Sequence, residues 1–251
     1  MASEASVSVS KASPGANIFS FCIYGSNPKY VEGMVKNLEQ IRDHYPTFQT
    51  WIVVGNDVPS EYINKYQSFP NVKLTHVPCS GGRLMTYRFF PIDDPSVECM
   101  IVRDADSRIG ERDNECIKRF LDSEFTLFTI RDHYYHNWPI MGGQWGIKRT
   151  SHDKEFNLEK AYHEIKESLT KDCGVDAYYT DQYFTRNYIF PLYSEHMIAF
   201  SSINYSTGGK ETIAEITPPR KDKWDFCGNV YEFRRREDNT LEEYPYFEYR
   251  S

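Results

Sequence analysis

The chain has 251 residues, of which 40% are hydrophobic and 26% charged; this is the composition of one globular domain long enough to bury a large core. A formal charge of −7 at pH 7 leaves no electrostatic footprint for nucleic acid or an anionic membrane. No run approaches the roughly 20 apolar residues of a membrane span, so a nucleic-acid partner and a spanning segment are excluded and a cytoplasmic location is expected.

Met1 to Ala16 is rich in Ser, Ala and Val without a basic start or a continuous apolar stretch, and is expected to be a disordered tail and not a signal peptide. The six cysteines (Cys22, Cys79, Cys99, Cys116, Cys173, Cys227) show no C-x-x-C pairing and are expected to be reduced core residues. The 19 Tyr and 16 Phe include rings of the kind that line polar clefts, with an apolar face and, for Tyr, a hydroxyl.

Ile18 to Tyr24 predicts a buried strand. The Gly25-Ser26-Asn27-Pro28 turn then starts a helix with Val31, Met34, Val35, Leu38 and Ile41 on its apolar face. Thr50 to Val54 predicts a second strand, Ser60 to Tyr66 a short helix capped by Ser60, and Val72 to Val77 a third strand. Cys99 to Val102 is a fourth strand that runs into Arg103-Asp104-Ala105-Asp106, followed by a helix over Glu115 to Leu121. Phe125 to Ile130 is a fifth, ending in Arg131-Asp132-His133. Beyond a Gly142-Gly143 segment the pattern predicts helices at Leu158 to Leu169 and Asp181 to Tyr188, then a strand near Met197 to Phe200. Alternation of this kind implies an α/β domain with a mostly parallel central sheet flanked by helices, here over residues 17–235, with 236–251 as a disordered C-terminal tail.

The acidic string falls at a strand's carboxyl end, the edge where open α/β sheets bind ligands. Two carboxylates one residue apart can both turn toward Mg²⁺ or Mn²⁺, and arginines such as Arg103 and Arg108 can grip phosphate oxygens. The ordinary reading of such a string is a solvated turn. Arg88, within Met85-Thr86-Tyr87-Arg88-Phe89, is either a phosphate clamp held by ring packing or an arginine snorkelling over the core. Arg131 to Trp138, followed by Gly142 to Gly146, suits a sugar-binding floor, while its histidines read singly as solvated. Asp181-Gln182 is either a first-turn acid favoured by the helix dipole or a pair that reaches a sugar. Spacing alone leaves these choices open.

Taken together, Tyr24 to Tyr30, Tyr87-Arg88-Phe89, Asp93-Asp94-Pro95, Arg103 to Arg108, Arg131-Asp132-His133 and Trp138 to Gly146 resemble a family of small GT-A-type glycosyltransferases. The family occurs in bacteria and large algal viruses and includes chlorovirus enzymes that glycosylate the capsid protein. The resemblance implies a nucleotide-sugar donor, UDP-linked, and a glycan or glycoprotein acceptor, in the host cytoplasm where the source is viral. It implies Mn²⁺ or Mg²⁺ on Asp104 and Asp106, with Tyr24, Gly25, Tyr87, Arg88, Arg103, Asp104 and Arg108 on the donor side. Asp181, Gln182 and Asp132 become the catalytic candidates, and the Asp-Gln pair favours retention of configuration. Many relatives carry His-Asp-Ser where this chain has Phe200-Ser201-Ser202, so the resemblance leaves the third metal ligand unassigned; His196 is the histidine nearest in sequence. A sugar-nucleotide nucleotidyltransferase would share the fold, but Tyr24 to Lys29 is a poor version of its phosphate loop. A scaffold that keeps the fold without the chemistry is the other alternative.

Overall fold

The computed structural model describes residues 15–149, 157–173 and 179–246; most of the expected N-terminal tail and the side chain of Cys173 lie outside the described residues. The larger of two sheets has eight strands: β1 (Ala16–Ile23), β2 (Gln49–Val54), β3 (Val72–His76), β4 (Val97–Arg103), β5 (Leu127–Arg131), β6 (Gln144–Lys148), β7 (Met197–Ser201) and β8 (Thr212–Ala214). Their order is β3-β2-β1-β4-β6-β5-β7-β8. All neighbours are parallel except β6, which runs against β4 and β5. Because β2 and β3 extend from one side of β1 and β4 continues on the other, the strand order reverses between β1 and β4. A crevice opens at that point, outside the strands' carboxyl ends.

Helix α1 (Pro28–His44) starts where Asn27 caps it, its side chain accepting the Lys29 N–H at 3.0 Å. It buries Val31, Met34, Val35, Leu38 and Ile41, the face that the 3.6-residue period predicts. Helix α2 (Ser60–Gln67) is preceded by Pro59 with no side-chain cap, so Ser60 opens the helix instead of capping it. Helix α3 (Glu111–Leu121) and α4 (Leu158–Cys173) follow β4 and β6. Next, α5 (Thr180–Phe184) passes through one π-helical turn, Thr185–Ile189, into α6 (Phe190–Tyr193). The segment Gly82–Asp93, before β4, is a 3₁₀ run.

Several elements depart from expectation. Strand β6 follows Gly142-Gly143 directly, and Gly146 inside it blurs its strand pattern. A Cβ on Gly146 would lie 2.5 Å from Phe128 and 2.7 Å from the Met100 carbonyl, so close packing requires the glycine. The expected C-terminal tail instead contributes β10 (Leu241–Pro245), antiparallel to β9 (Tyr231–Arg235). Charge along both strands hid them, yet the hairpin is held to the body by an Arg108–Glu243 ion pair and by the Tyr231 N–H donating to the Asp106 carbonyl at 2.7 Å. Cys79 is exposed, whereas Cys22, Cys99, Cys116 and Cys227 are buried free thiols. No described helix is long and apolar enough to cross a membrane.

Candidate active site

A cleft of about 280 Å³ opens at the β1/β4 reversal, lined by Tyr24 after β1, Asp104 and Asp106 after β4, Gly142 and Gly143 before β6, and Asp181 and Gln182 on α5. The loop bearing the two aspartates is gripped from α1. Buried Asn37 donates to the carbonyls of Ala105 at 3.1 Å and Ser107 at 3.0 Å. Gly33 lets the helix come close enough, since a Cβ there would sit 2.3 Å from the Ala105 carbonyl. Sequence reasoning missed both residues, although a polar Asn37 in the middle of an apolar helical face was a readable signal.

Arg88 is 1% exposed, and Ser20 fixes its backbone by donating to its carbonyl at 2.6 Å. One end of its guanidinium pairs with Asp104, and the other with Asp181 at 2.9 Å. Arg88 therefore neither snorkels nor points freely at a phosphate; it is the bridge that sets two carboxylates at a fixed separation. Removing a charge of this kind leaves Asp181 buried and uncompensated, at a cost of about 3–5 kcal/mol. Burial raises the Asp181 pKa, Asp104 raises it further, and Arg88 opposes both. Lys29 reaches Asp106 at 3.1 Å and Glu232 of the C-terminal hairpin at 3.6 Å. Burial and the Asp104 charge push the Asp106 carboxyl up while Lys29 holds it back.

The Gly-Gly segment explains how the carboxylates converge. A Cβ on Gly143 would lie 1.8 Å from an Asp104 carboxylate oxygen, and one on Gly142 would lie 2.7 Å from Asp181. The Gly142 N–H donates to the Gln182 side-chain oxygen at 2.8 Å, which ties α5 to the floor of the cleft. Cys22 also lines the cleft, but burial pushes its thiol up, so it is protonated and no nucleophile.

Other sequence candidates point elsewhere. Arg103 pairs with Asp113 in the core beneath α3, because successive side chains of β4 face opposite sides of the sheet. Arg108 is taken by Glu243, and Tyr87 packs on Phe90 and Tyr162 at 5.0 and 6.2 Å. Gly25, at φ 71, donates its N–H to Asp57 at 2.9 Å beside the cleft-lining Tyr24. Asp132 is fully buried. It accepts from Arg112 at 2.9 Å, Arg220 at 3.1 Å, the Ser202 hydroxyl at 2.6 Å and the Cys227 N–H at 2.8 Å. Burial works against the charge, but these donors together hold the carboxyl below its ordinary range. Asp132 ties β5 to α3 and the C-terminal segment and does not line the cleft.

Two hard carboxylates, Asp104 and Asp106, face the cleft, and among the described residues no cluster of three or more His, Cys, Asp or Glu forms a metal site. His196 precedes β7, at the sheet's opposite edge. At about 3.3 Å per residue the five-residue strand puts it roughly 16 Å away along the strand. A two-carboxylate set fits a divalent ion that fills its remaining positions with water and substrate phosphate, and the Lys29 ammonium against Asp106 marks a place where positive charge is favoured.

No protein-family model and no curated protein matches the chain. Among solved structures, it is similar to a glycosyltransferase involved in glycosylation of the major capsid of PBCV-1, at 15% identity over 75% of this chain and 82% of that one, with a TM-score of 0.48. The mannosyltransferase PcManGT from Pyrobaculum calidifontis, in complex with GDP-Man and Mn²⁺, aligns at 13% identity over 84% of this chain and 59% of its own, with a TM-score of 0.47. A 4-diphosphocytidyl-2C-methyl-D-erythritol synthase from Anaerococcus prevotii aligns at 10% identity over 81% and 92%, with a TM-score of 0.45. All three fall below a TM-score of 0.5, so the functional reading rests on the residues of the cleft.

Proposed function

We propose that the chain is a glycosyltransferase that takes a nucleotide-sugar donor, UDP-linked, in the β1/β4 cleft with Mn²⁺ or Mg²⁺ on Asp104 and Asp106, and passes the sugar to a glycan or glycoprotein. The observation that carries this reading is the convergence of Asp104, Asp106 and buried Asp181 on one cleft at the sheet's reversal point. A divalent ion bound there would stabilise negative charge on the departing nucleoside diphosphate.

The chain's own residues supply the rest. Arg88 holds Asp104 and Asp181 in register, so the diphosphate-side and sugar-side carboxylates are positioned by a single side chain. Asp181, poorly solvated on the cleft wall, is assigned to the positive charge that builds at the anomeric carbon, with Gln182 fixing the wall to Gly142. This Asp-Gln placement favours retention of configuration, readable from the anomeric proton of the product. Gly142 and Gly143 present bare backbone, which admits a close-lying ligand.

The test is release of nucleoside diphosphate from a UDP-sugar with Mn²⁺ and no acceptor. Wild type should hydrolyse the donor slowly, and Asp106→Ala or chelation should abolish it. A second reading, a donor-binding scaffold without turnover, is favoured by the pairing of Asp104 with Arg88 and of Asp106 with Lys29; binding without any hydrolysis would select it. A nucleotidyltransferase would instead require a nucleoside triphosphate and release pyrophosphate.

A further inference from the structure

The connection between β5 and β6, residues 132–143, serves two cavities. Its second half places Gly142 and Gly143 in the cleft described above. Its first half places His133 and Tyr134 at the wall of a wider, open cavity of about 820 Å³, beside Ser202, Asn204, Arg220 and Lys223. Strands β5 and β7 are parallel to each other, and β5 is parallel to β4 through antiparallel β6, so both cavities open on the same carboxyl edge of the sheet.

Exposed rings run along this connection. Among the described residues five large hydrophobic side chains are exposed; two of them stand here, Tyr134 at 63% and Tyr135 at 59%, and a third, Tyr179 at 49%, precedes α5 and meets the connection through Trp138. Tyr134 and Tyr135 lie against each other at 4.0 Å between centroids. Behind them His133 stacks on Phe226 at 4.4 Å. Toward the cleft, Trp138 stacks on Tyr179 at 6.1 Å, and Tyr179 itself lines the cleft. Folding gains little from rings left in water, and exposed aromatics grouped in one place mark a binding surface.

We propose that this track is an acceptor subsite for a saccharide chain: the acceptor's terminal sugar enters the cleft past Tyr179, and its preceding sugars lie on Tyr134 and Tyr135. Pyranose rings present C–H faces to aromatic rings and hydroxyls to their rims. The wider cavity provides both kinds of partner, rings from the connection and hydrogen-bonding groups from Ser202, Asn204, Arg220 and Lys223. The acceptor is then an oligosaccharide, free or attached to a carrier, and not a bare amino-acid side chain. This inference rests on the transferase reading for its direction of transfer but not for the binding itself.

The test uses the 251-residue chain, fluorescently labelled, on a printed oligosaccharide array. Wild type should bind glycans of two or more residues. The double variant Tyr134→Ala/Tyr135→Ala should lose about tenfold or more in affinity, with an unchanged melting midpoint since both rings are exposed. Tyr134→Phe/Tyr135→Phe should retain binding, because the ring faces remain. Asp104→Asn should lose nucleotide-sugar binding and keep glycan binding. Absence of glycan binding by wild type, or equal binding by the double alanine variant, overturns the subsite while leaving the donor reading standing. Glycan binding in a chain that binds no nucleotide sugar upholds the subsite and removes the transferase.

Discussion

Gly143 lies directly beneath Asp104: a Cβ at this position would be 1.8 Å from one carboxylate oxygen. Asp104 is on a half-buried loop with its side chain 38% exposed, so it can swing away, giving up its Arg88 pair, instead of unfolding the chain. Gly143→Ala is therefore expected to leave the fold intact and to weaken Mn²⁺-dependent donor binding about tenfold or more, since a ligand atom displaced by an ångström no longer fits hard-cation geometry. Calorimetric titration of the variant with a UDP-sugar and Mn²⁺, beside its melting curve, checks this.

Lys29 occupies the cation-favouring side of Asp106. Lys29→Met removes a positive charge from the proposed metal site, so Mn²⁺ affinity without nucleotide should rise, by about tenfold for a partly screened pair near 4 Å. Electron paramagnetic resonance of free Mn²⁺ during titration measures it, and an unchanged or weaker affinity would show that Lys29 does not compete for Asp106.

Asn37 holds the Asp104–Asp106 loop to α1 through two carbonyls. Asn37→Leu leaves those carbonyls without that donor in a buried setting, which should cost about 1–3 kcal/mol in urea unfolding. The same variant should raise the donor KM more than it lowers kcat, because the loop's position is affected before the reacting groups are.

Burial pushes the His136 pKa down to about 4 from 6.5, with the neighbouring His133 adding to the shift. Its Nδ1 accepts the Asp132 N–H at 3.2 Å. The folded state thus prefers the neutral ring. Between the two pKa values the unfolded chain binds the extra proton, so stability falls as pH falls. The stabilisation is complete above pH 6.5 and should drop by about 2 kcal/mol on going to pH 5, at 1.36 kcal/mol per unit. Unfolding curves over this range should be flatter in His136→Asn; an equally steep variant would assign the slope to other groups.

Much of the fold was legible because periodicity is a burial signal. Val31, Met34, Val35, Leu38 and Ile41 recur at helical spacing and are all buried in α1, and the runs of β1, β2 and β4 are nearly continuous apolar strands buried in the sheet. Strand β6 was hidden by Gly146, whose missing side chain is itself a packing requirement. The β9–β10 hairpin was hidden because its strands are half-buried and charged and it is held by ion pairs rather than an apolar face. At the site, Asp104, Asp106, Asp181 and Gln182 were named from the sequence, and the structure brings them to one cleft. Arg103, Arg108 and Asp132 were also named as donor-side or catalytic candidates, but each is committed to a partner on another element: Asp113, Glu243 and Arg112. Residue type and neighbourhood cannot distinguish an arginine facing a phosphate from one facing Asp113; only strand alternation and the packing of α3 decide it.

The most direct measurement is a thermal-shift series with UDP-, GDP-, dTDP- and CMP-sugars, each with Mn²⁺ and with chelator, on wild type and Asp106→Ala, since a ligand that binds only the native state raises its apparent stability. A nucleotide-sugar cleft built on Asp104 and Asp106 predicts a Mn²⁺-dependent rise with UDP-sugars in wild type and none in the variant. A rise that survives both chelation and Asp106→Ala, or no rise with any donor, would contradict it.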